Sequence, residues 1–179
     1  MIILQKFEQS DFNELISWIS DENILTNWSG SLFSFPLTHE SLEWYIEDTN
    51  IIDISDAFVY KVIDETTGCS IGHISLGGIS WKNKSSRISR VLIGNHTARG
   101  KGYCQLIMAA VLKIGFEELG LHRICLGVYE TNQAAISCYK KSGLKIEGNH
   151  RDVLFKNGSY ISMVEMGILE AEWKEKFFK

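Results

Sequence analysis

The sequence predicts an α+β fold in which a mostly antiparallel, mixed sheet of six to seven strands is flanked by about four helices. Strand-like alternating segments occur in pairs joined by turn residues, and four other segments repeat apolar residues at three- and four-residue spacing. A third observation concerns domain number. Because the 179 residues are 45% hydrophobic, with one proline and no repeat or linker, we expect residues 1–179 to fold as a single domain.

The first half of the chain predicts one strand followed by two helices. Residues 2–7 alternate as a strand, and residues 11–19 predict a helix that begins with a capping-box pattern. Residues 28–30 contain serine and glycine and predict a loop. A second helix is expected over residues 38–46, where Thr38 is a suitable N-cap.

A meander of three strands is predicted next. Residues 57–63 alternate, a turn follows at residues 65–68, and residues 70–79 return as the antiparallel partner. Residues 87–93 then predict the third strand. This strand leads directly into the most informative segment of the chain.

The remaining segments alternate between helix and strand. A long helix is expected from residue 102 to about 119, because apolar residues recur along one face. The further elements are a strand at 121–128, a helix at 133–141 capped by Asn132, and a hairpin of residues 153–155 and 160–169.

The junction between the third meander strand and the long helix predicts an anion site. Residues 98–104 read Ala-Arg-Gly-Lys-Gly-Tyr-Cys, and Gly100 and Gly102 allow the backbone to approach a ligand closely. Free N–H groups and the helix dipole converge there, while Arg99 and Lys101 add positive charge. Taken alone, the segment is equally consistent with a basic turn before a surface helix. It matches neither the Walker A loop nor the dinucleotide fingerprint.

Two motifs in residues 88–144 together resemble the acetyl-coenzyme A site of the GNAT superfamily of N-acetyltransferases. The pyrophosphate pattern of that family, Arg/Gln-x-x-Gly-x-Gly/Ala, falls on Arg99, Gly102 and Cys104. Cysteine therefore stands where the family has glycine or alanine.

The second motif of the family is an asparagine followed by a helix that ends in Tyr-x-x-x-Gly-Phe. It falls on Asn132, Tyr139, Gly143 and Leu144, with leucine in place of phenylalanine. The text at residues 147–160 resembles the branch of ribosomal-protein N-terminal and polyamine acetyltransferases.

The resemblance implies a GNAT-like domain whose central strand pair splays apart to hold acetyl-CoA as a co-substrate. It also implies which residues contact the coenzyme. These are Leu92, Ile93, Gly94, Arg99, Gly100, Lys101, Gly102, Tyr103, Cys104, Asn132, Ala135 and Tyr139.

The implied chemistry is direct attack of an amine on the thioester in a ternary complex. A backbone N–H between Leu92 and Gly94 would stabilise the oxyanion, Asn132 would hold the pantetheine arm, and Tyr139 would protonate the departing thiolate. No carboxylate lies on residues 87–93 to act as the base. Glu130 and His73 are the candidates, although a solvated loop residue and a packed strand residue explain them at least as well.

Charge is distributed unevenly along the chain. Residues 1–60 carry 11 acidic and one basic residue, net −10, whereas residues 61–179 carry 17 basic and 11 acidic residues, net +6. The acidic half would attract a cationic amine, or it merely solvates two helices. Trp28 and Trp44 would line the acceptor pocket, or belong to the core. The acceptor therefore stays open among protein N-termini, polyamines, amino sugars, antibiotics and amino acids.

Several other classes are disfavoured by composition. We expect a cytoplasmic protein, because the chain shows neither a signal segment nor an apolar run that could cross a bilayer. Four singly placed cysteines predict reduced thiols, the histidines lack metal-ligand spacing, and the scattered basic residues predict no nucleic-acid or membrane partner. A homodimer is common in the superfamily. The alternatives to an enzyme are a non-catalytic acyl-CoA sensor and an interaction domain that binds nothing at the loop.

Overall fold

A computed structural model describes residues 1–94 and 102–177. In this part of the chain, seven strands and six α-helices form. They are, in order, β1 (Ile2–Lys6), α1 (Phe12–Trp18), α2 (Glu22–Ser29), α3 (His39–Ile46), β2 (Phe58–Asp64), β3 (Cys69–Ser80), β4 (Ser85–Ile93), α4 (Tyr103–Lys113), β5 (Arg123–Tyr129), α5 (Gln133–Lys141), β6 (Lys145–Lys156), β7 (Ser159–Leu169) and α6 (Glu170–Phe177). A π-helical turn, Ile114–Glu118, extends α4.

The strands form one sheet in the order β1-β2-β3-β4-β5-β7-β6. Every neighbouring pair is antiparallel except β4 and β5, which are parallel and pair only between Ser85–Arg87 and Arg123–Cys125. Beyond these three residues the two strands separate. The predicted α+β class, the mixed sheet and the splayed central strand pair are therefore confirmed.

A β-bulge in β4 lies where the separation begins. Ser75 pairs with Ser89 and His73 with Leu92, so that Arg90 and Val91 together face a single residue of β3. Arg90 adopts a positive φ of 53°, which is uncommon for a residue with a side chain. The carbonyl of Arg90 compensates by accepting two hydrogen bonds, from Trp28 Nε1 (2.9 Å) and His73 Nδ1 (3.0 Å).

His73 is thereby held as a neutral imidazole. The side chain is 1% exposed and packs against the rings of Phe7, Trp28 and Tyr45. Since a carbonyl can only accept, Nδ1 carries the proton, and Nε2 is buried without a partner among the described residues. Burial lowers the pKa of His73 to about 4.

Both faces of the sheet are covered. Phe58, Tyr60 and Val62 alternate toward the core under α4, whereas Val59 points to the other face, under the three N-terminal helices. The residues that α4 buries there are Ile107, Met108, Val111 and Leu112, all fully inaccessible. The N-terminal helices are thus packed directly beside the strands that carry the site.

The structure adds two helices, α2 and α6, that the sequence did not predict, and it lengthens the strand predicted at residues 153–155. α2 replaces the loop expected at residues 28–30; its N-cap Asp21 accepts a hydrogen bond from the N–H of Ile24 (2.9 Å), and it buries Leu25 and Trp28. β6 begins at Lys145, although its first nine residues are exposed and show no strand alternation. With α6, the chain has more than the expected four helices.

The expectation of four reduced thiols is wrong for one pair. Cys104, at the start of α4, and Cys138, in α5, form a disulfide whose Cα atoms lie 6.3 Å apart. The two cysteines are 34 residues apart in the sequence, so their spacing did not indicate that they meet in the fold. Cys69 and Cys125 are free thiols.

Reduction of this disulfide should lower the free energy of unfolding by about 2–4 kcal/mol, because the cross-link restricts the unfolded chain. Urea unfolding with and without dithiothreitol measures the difference. Cys104→Ser should be insensitive to the reductant, and Cys125→Ser should retain the full response. Equal urea midpoints for the parent protein in both conditions would contradict the cross-link.

The buried His73 should make the protein less stable in mild acid. Its pKa is about 4 in the folded state, against 6.5 for a free histidine, so between these values only the unfolded chain takes up the proton. The free energy of unfolding should therefore fall as the pH drops from 6.5 to 4, by about 3 kcal/mol in all. Urea unfolding at intervals of half a pH unit measures this slope.

The matched variants are His73→Asn, which keeps a donor for the Arg90 carbonyl, and His122→Asn, which changes an exposed histidine. The first should flatten the profile between pH 6.5 and 4, and the second should not. A profile of His73→Asn that runs parallel to that of the parent would show that this residue is not the cause.

Candidate functional site

Two cavities open where β4 and β5 diverge. The larger, the α4–α5 cavity, has a volume of about 690 Å³ and lies between the end of β4 and the two helices. The smaller, the β4–β5 cavity, has a volume of about 230 Å³ and lies between the diverging strands and α2. Both are lined by the same five residues where they meet: Asn27, Trp28, Val91, Asn132 and Tyr139.

The structure brings most of the predicted coenzyme residues together around the α4–α5 cavity. Eight of them line it: Leu92, Ile93, Gly102, Tyr103, Cys104, Asn132, Ala135 and Tyr139. Arg99, Gly100 and Lys101 lie outside the described residues. The cavity therefore unites two segments, around residues 103 and 135, that the sequence analysis connected only through a family pattern.

Gly94 is placed differently from the prediction. It is not among the lining residues, and its N–H donates to the carbonyl of Ile71 at 3.0 Å. A Cβ at this position would lie 1.9 Å from the ring of Trp18. The glycine thus permits close packing of α1 against the end of β4.

The start of α4 is suited to an anion. Gly102 is the N-cap residue and adopts a positive φ of 80°, and the first residues of this 11-residue helix line the cavity. Lys141 of α5 is the one charged side chain among the described lining residues. The disulfide of Cys104 ties this helix start to α5 across the same cavity. Positive charge is therefore contributed from both sides of the cavity, by the start of α4 and by Lys141 of α5.

The side chain of Tyr103, at the start of α4, is hydrogen-bonded to a carboxylate of β2. Its hydroxyl donates to Asp64 Oδ2 at 2.6 Å, which lowers the pKa of the carboxyl and raises that of the phenol. The ring is half-buried and contributes a wall to the cavity. Tyr103 is consequently anchored to β2.

Tyr139 lies where the two cavities meet. The side chain is 7% exposed, and burial raises its pKa to about 12, so the hydroxyl stays protonated at neutral pH. It is placed by α5, whose N-cap Asn132 accepts a hydrogen bond from the N–H of Ala135 at 3.2 Å. The capping role of Asn132 occupies its carbonyl oxygen. Its amide nitrogen remains the side-chain group with hydrogens to donate.

Neither candidate base lines a cavity. Glu130 follows β5, and its carboxylate accepts a hydrogen bond from the N–H of Ser162 at 3.0 Å. This contact ties the end of β5 to β7. His73 is enclosed by aromatic rings beneath the bulge, as described above. The structure thus gives each of them a structural contact and brings neither into a cavity with Tyr139.

Three residues that were not predicted as site residues line the β4–β5 cavity: Arg87, Ser89 and Arg90. A charged residue in the middle of an apolar strand was the available signal for Arg90. Of the two tryptophans, Trp28 lines both cavities, whereas Trp44 is 58% exposed and lines neither.

Within residues 1–94 and 102–177, no three His, Cys, Asp or Glu side chains lie together in a way that could hold a metal ion. In the same part of the chain, none of the helices has the length and apolar character needed to cross a bilayer.

Known proteins share both the sequence and the fold. The spermidine N(1)-acetyltransferase of Vibrio cholerae is 25% identical over 172 residues, which cover 96% of this chain and 95% of the relative. An uncharacterized N-acetyltransferase of Bacillus subtilis, YnaD, is 26% identical over 173 residues, with 96% and 95% covered. The crystal structure of the Vibrio cholerae spermidine N-acetyltransferase in complex with CoA and spermine superposes with a TM-score of 0.82, at 23% identity and with 96% and 97% covered.

The similarity to GNAT acetyltransferases is not limited to the two motifs. The model described as an acetyltransferase (GNAT) domain matches residues 1–145, about four fifths of the chain. Together with the fold and the cavity at the splayed strands, this match shows that the chain belongs to the GNAT family, as an N-acetyltransferase that uses acetyl-CoA.

Proposed function

We propose that the chain acetylates a primary amine by direct attack, with acetyl-CoA in the α4–α5 cavity and the amine in the β4–β5 cavity. The observation that carries this proposal is that the two cavities meet at Tyr139. Two substrates that enter from opposite sides of the splayed strands would there be held with their reacting atoms adjacent. Such positioning replaces a bimolecular encounter by a reaction within one complex.

The coenzyme would be held along the α4–α5 cavity. The helix start at Gly102, with Arg99, Gly100 and Lys101 before it and Lys141 opposite, would bind the diphosphate. The walls formed by Tyr103, Cys104 and Ala135 would face the pantetheine arm. The amide nitrogen of Asn132 would hydrogen-bond to that arm.

Bond formation would begin with a neutral amine. Its nitrogen attacks the thioester carbonyl carbon, an N–C bond forms, and the C–S bond breaks as the tetrahedral oxyanion collapses. A backbone N–H near the end of β4 would stabilise the oxyanion, other than that of Gly94, which already donates to Ile71. Tyr139 would give its proton to the departing sulfur and would recover one, through water, from the attacking nitrogen, which must lose a proton as the amide forms. The products are then an amide and free coenzyme A, with Tyr139 protonated again.

The proton of the incoming ammonium would leave to water in the open β4–β5 cavity. Glu130, the base predicted from the sequence, would need to release the N–H of Ser162 before it could accept that proton. Its role stays a prediction, as do the single domain over residues 1–179, the cytoplasmic location, the homodimer and the lack of nucleic-acid and membrane partners.

An acyl-CoA sensor on the same fold is the alternative, and Tyr139→Phe separates the two. The variant removes only the hydroxyl, so we expect coenzyme A binding within about twofold of the parent. Thiol release from acetyl-CoA in the presence of amines should fall about 100-fold or more, as for loss of a general acid. Calorimetry measures the binding, and a thiol reagent measures the rate.

Tyr160→Phe is the matched control. Tyr160 is 63% exposed on the β6–β7 hairpin and lines neither cavity, so its variant should react at the parental rate. An unchanged rate for Tyr139→Phe would remove this residue from the mechanism. Coenzyme binding without turnover of any amine by the parent would support the sensor.

A further inference from the structure

The charged side chains that line the β4–β5 cavity are all basic. Arg87 and Arg90 are the two of them, and the described lining includes neither aspartate nor glutamate. The other polar contributors are neutral: Asn27, Ser29, Ser89, Tyr129, Asn132 and Tyr139. An acceptor with several positive charges would therefore meet no compensating carboxylate on these walls.

Arg87 is already neutralised. Its two terminal nitrogens donate to the two carboxylate oxygens of Glu165, at 2.5 and 2.9 Å, in a bidentate pair. The pair bridges β4 and β7 at the edge of the cavity. Its net charge is zero, so the net charge of the cavity depends on Arg90.

Arg90 has no carboxylate partner in the described part of the chain. None of the ion pairs there includes it, and residues 95–101 contain no aspartate or glutamate that could supply one. One terminal nitrogen donates to Ser89 Oγ at 3.1 Å and to Ser75 Oγ at 3.4 Å, both neutral acceptors, and Nε is buried without a hydrogen-bond partner. A guanidinium stays charged at every relevant pH, and a half-buried one without an anion is costly.

The guanidinium is also held in place. Its carbon lies 4.7 Å from the centre of the Tyr45 ring, and the bulge fixes the backbone of Arg90 through Trp28 and His73. A guanidinium ordered in this way before binding loses little entropy when an anion arrives. A fixed guanidinium without an anionic partner has the properties that carboxylate binding requires.

We propose that the acceptor is a small amine that carries a carboxylate, and that Arg90 binds this carboxylate while the amine faces Tyr139. The inference rests on the proposed function and names its substrate class. A cavity of about 230 Å³ matches a molecule the size of an amino acid. The reaction is the one given above, and the carboxylate takes no part in its bond changes.

The test compares amines that differ only in the carboxylate. Amino acids, their decarboxylated counterparts and spermidine are each offered with acetyl-CoA, and kcat/KM is measured by thiol release. For the parent, the preferred amino acid should exceed its decarboxylated counterpart about 10- to 100-fold, the range of a charge-assisted pair. Preference for spermidine or for the decarboxylated amines would overturn the proposal.

Variants at Arg90 assign the preference to this residue. Arg90→Gln should reduce the kcat/KM ratio of the amino acid to its decarboxylated counterpart to within about threefold of unity. Arg90→Lys should keep part of this preference. Arg90→Glu should shift relative turnover toward spermidine. Arg151→Gln, an exposed arginine of β6 outside both cavities, should keep the preference fully. Unchanged coenzyme binding shows that each variant is folded, and an unaltered preference in Arg90→Gln would refute the assignment.

A binding measurement separates this inference from the proposed function. If no amine is turned over, calorimetric titration of the coenzyme complex with the amino acids still reports on the subsite. Binding that is lost in Arg90→Gln would then support the carboxylate subsite while the proposed reaction fails. Turnover without carboxylate preference would leave the reaction standing and overturn the subsite.

Discussion

The separation of β4 from β5 is the constraint on which the rest of the site depends. Three residues of parallel pairing hold the strands together, and the bulge at Arg90 then turns β4 away. The bulge persists because the carbonyl of Arg90 receives both the indole N–H of Trp28 and the imidazole N–H of His73. Each donor is buried and would be costly to leave unpaired. The packing of α2 against the bulge and the opening of the sheet therefore depend on the same two hydrogen bonds.

Burial has different effects on the two ionisable side chains at the opening, Tyr139 and Arg90. A phenol is neutral, so the low polarity around Tyr139 keeps its proton in place and the hydroxyl remains a donor at neutral pH. A guanidinium is charged, so partial burial leaves Arg90 in need of an anion. In the α4–α5 cavity, the positive end of α4 and the side chain of Lys141 would favour the phosphates of the coenzyme that we propose to bind there. The burial at this opening is thus consistent with the proposed proton donor, anionic coenzyme and carboxylate-bearing acceptor.

Sequence patterns were sufficient where local spacing determines structure. Asn132 caps α5 and the seven-residue interval to Tyr139 places both on one cavity, while alternation located β2 to β5 within a few residues. Sequence patterns were insufficient where an element depends on a tertiary contact or lies at an exposed edge of the sheet. The solvent-exposed start of β6 has no alternation to detect, α2 depends on burying Trp28 beneath the bulge, and the disulfide joins residues 34 positions apart. Arg90 could not be predicted as a site residue for the same reason, since its place in the cavity depends on tertiary contacts and not on a sequence motif.

The acidic N-terminal half and the basic acceptor cavity act at different distances. None of the 11 acidic residues among the first 60 lines the β4–β5 cavity, so their field reaches a substrate through solvent, where it decays over about 8 Å at physiological ionic strength. Such a field can draw an ammonium group toward the cleft. Inside the cavity, contact with a single half-buried guanidinium outweighs it, because solvent no longer screens the charge. A zwitterion satisfies both conditions, since its ammonium responds to the distant field and its carboxylate to Arg90, whereas a polycation satisfies only the first.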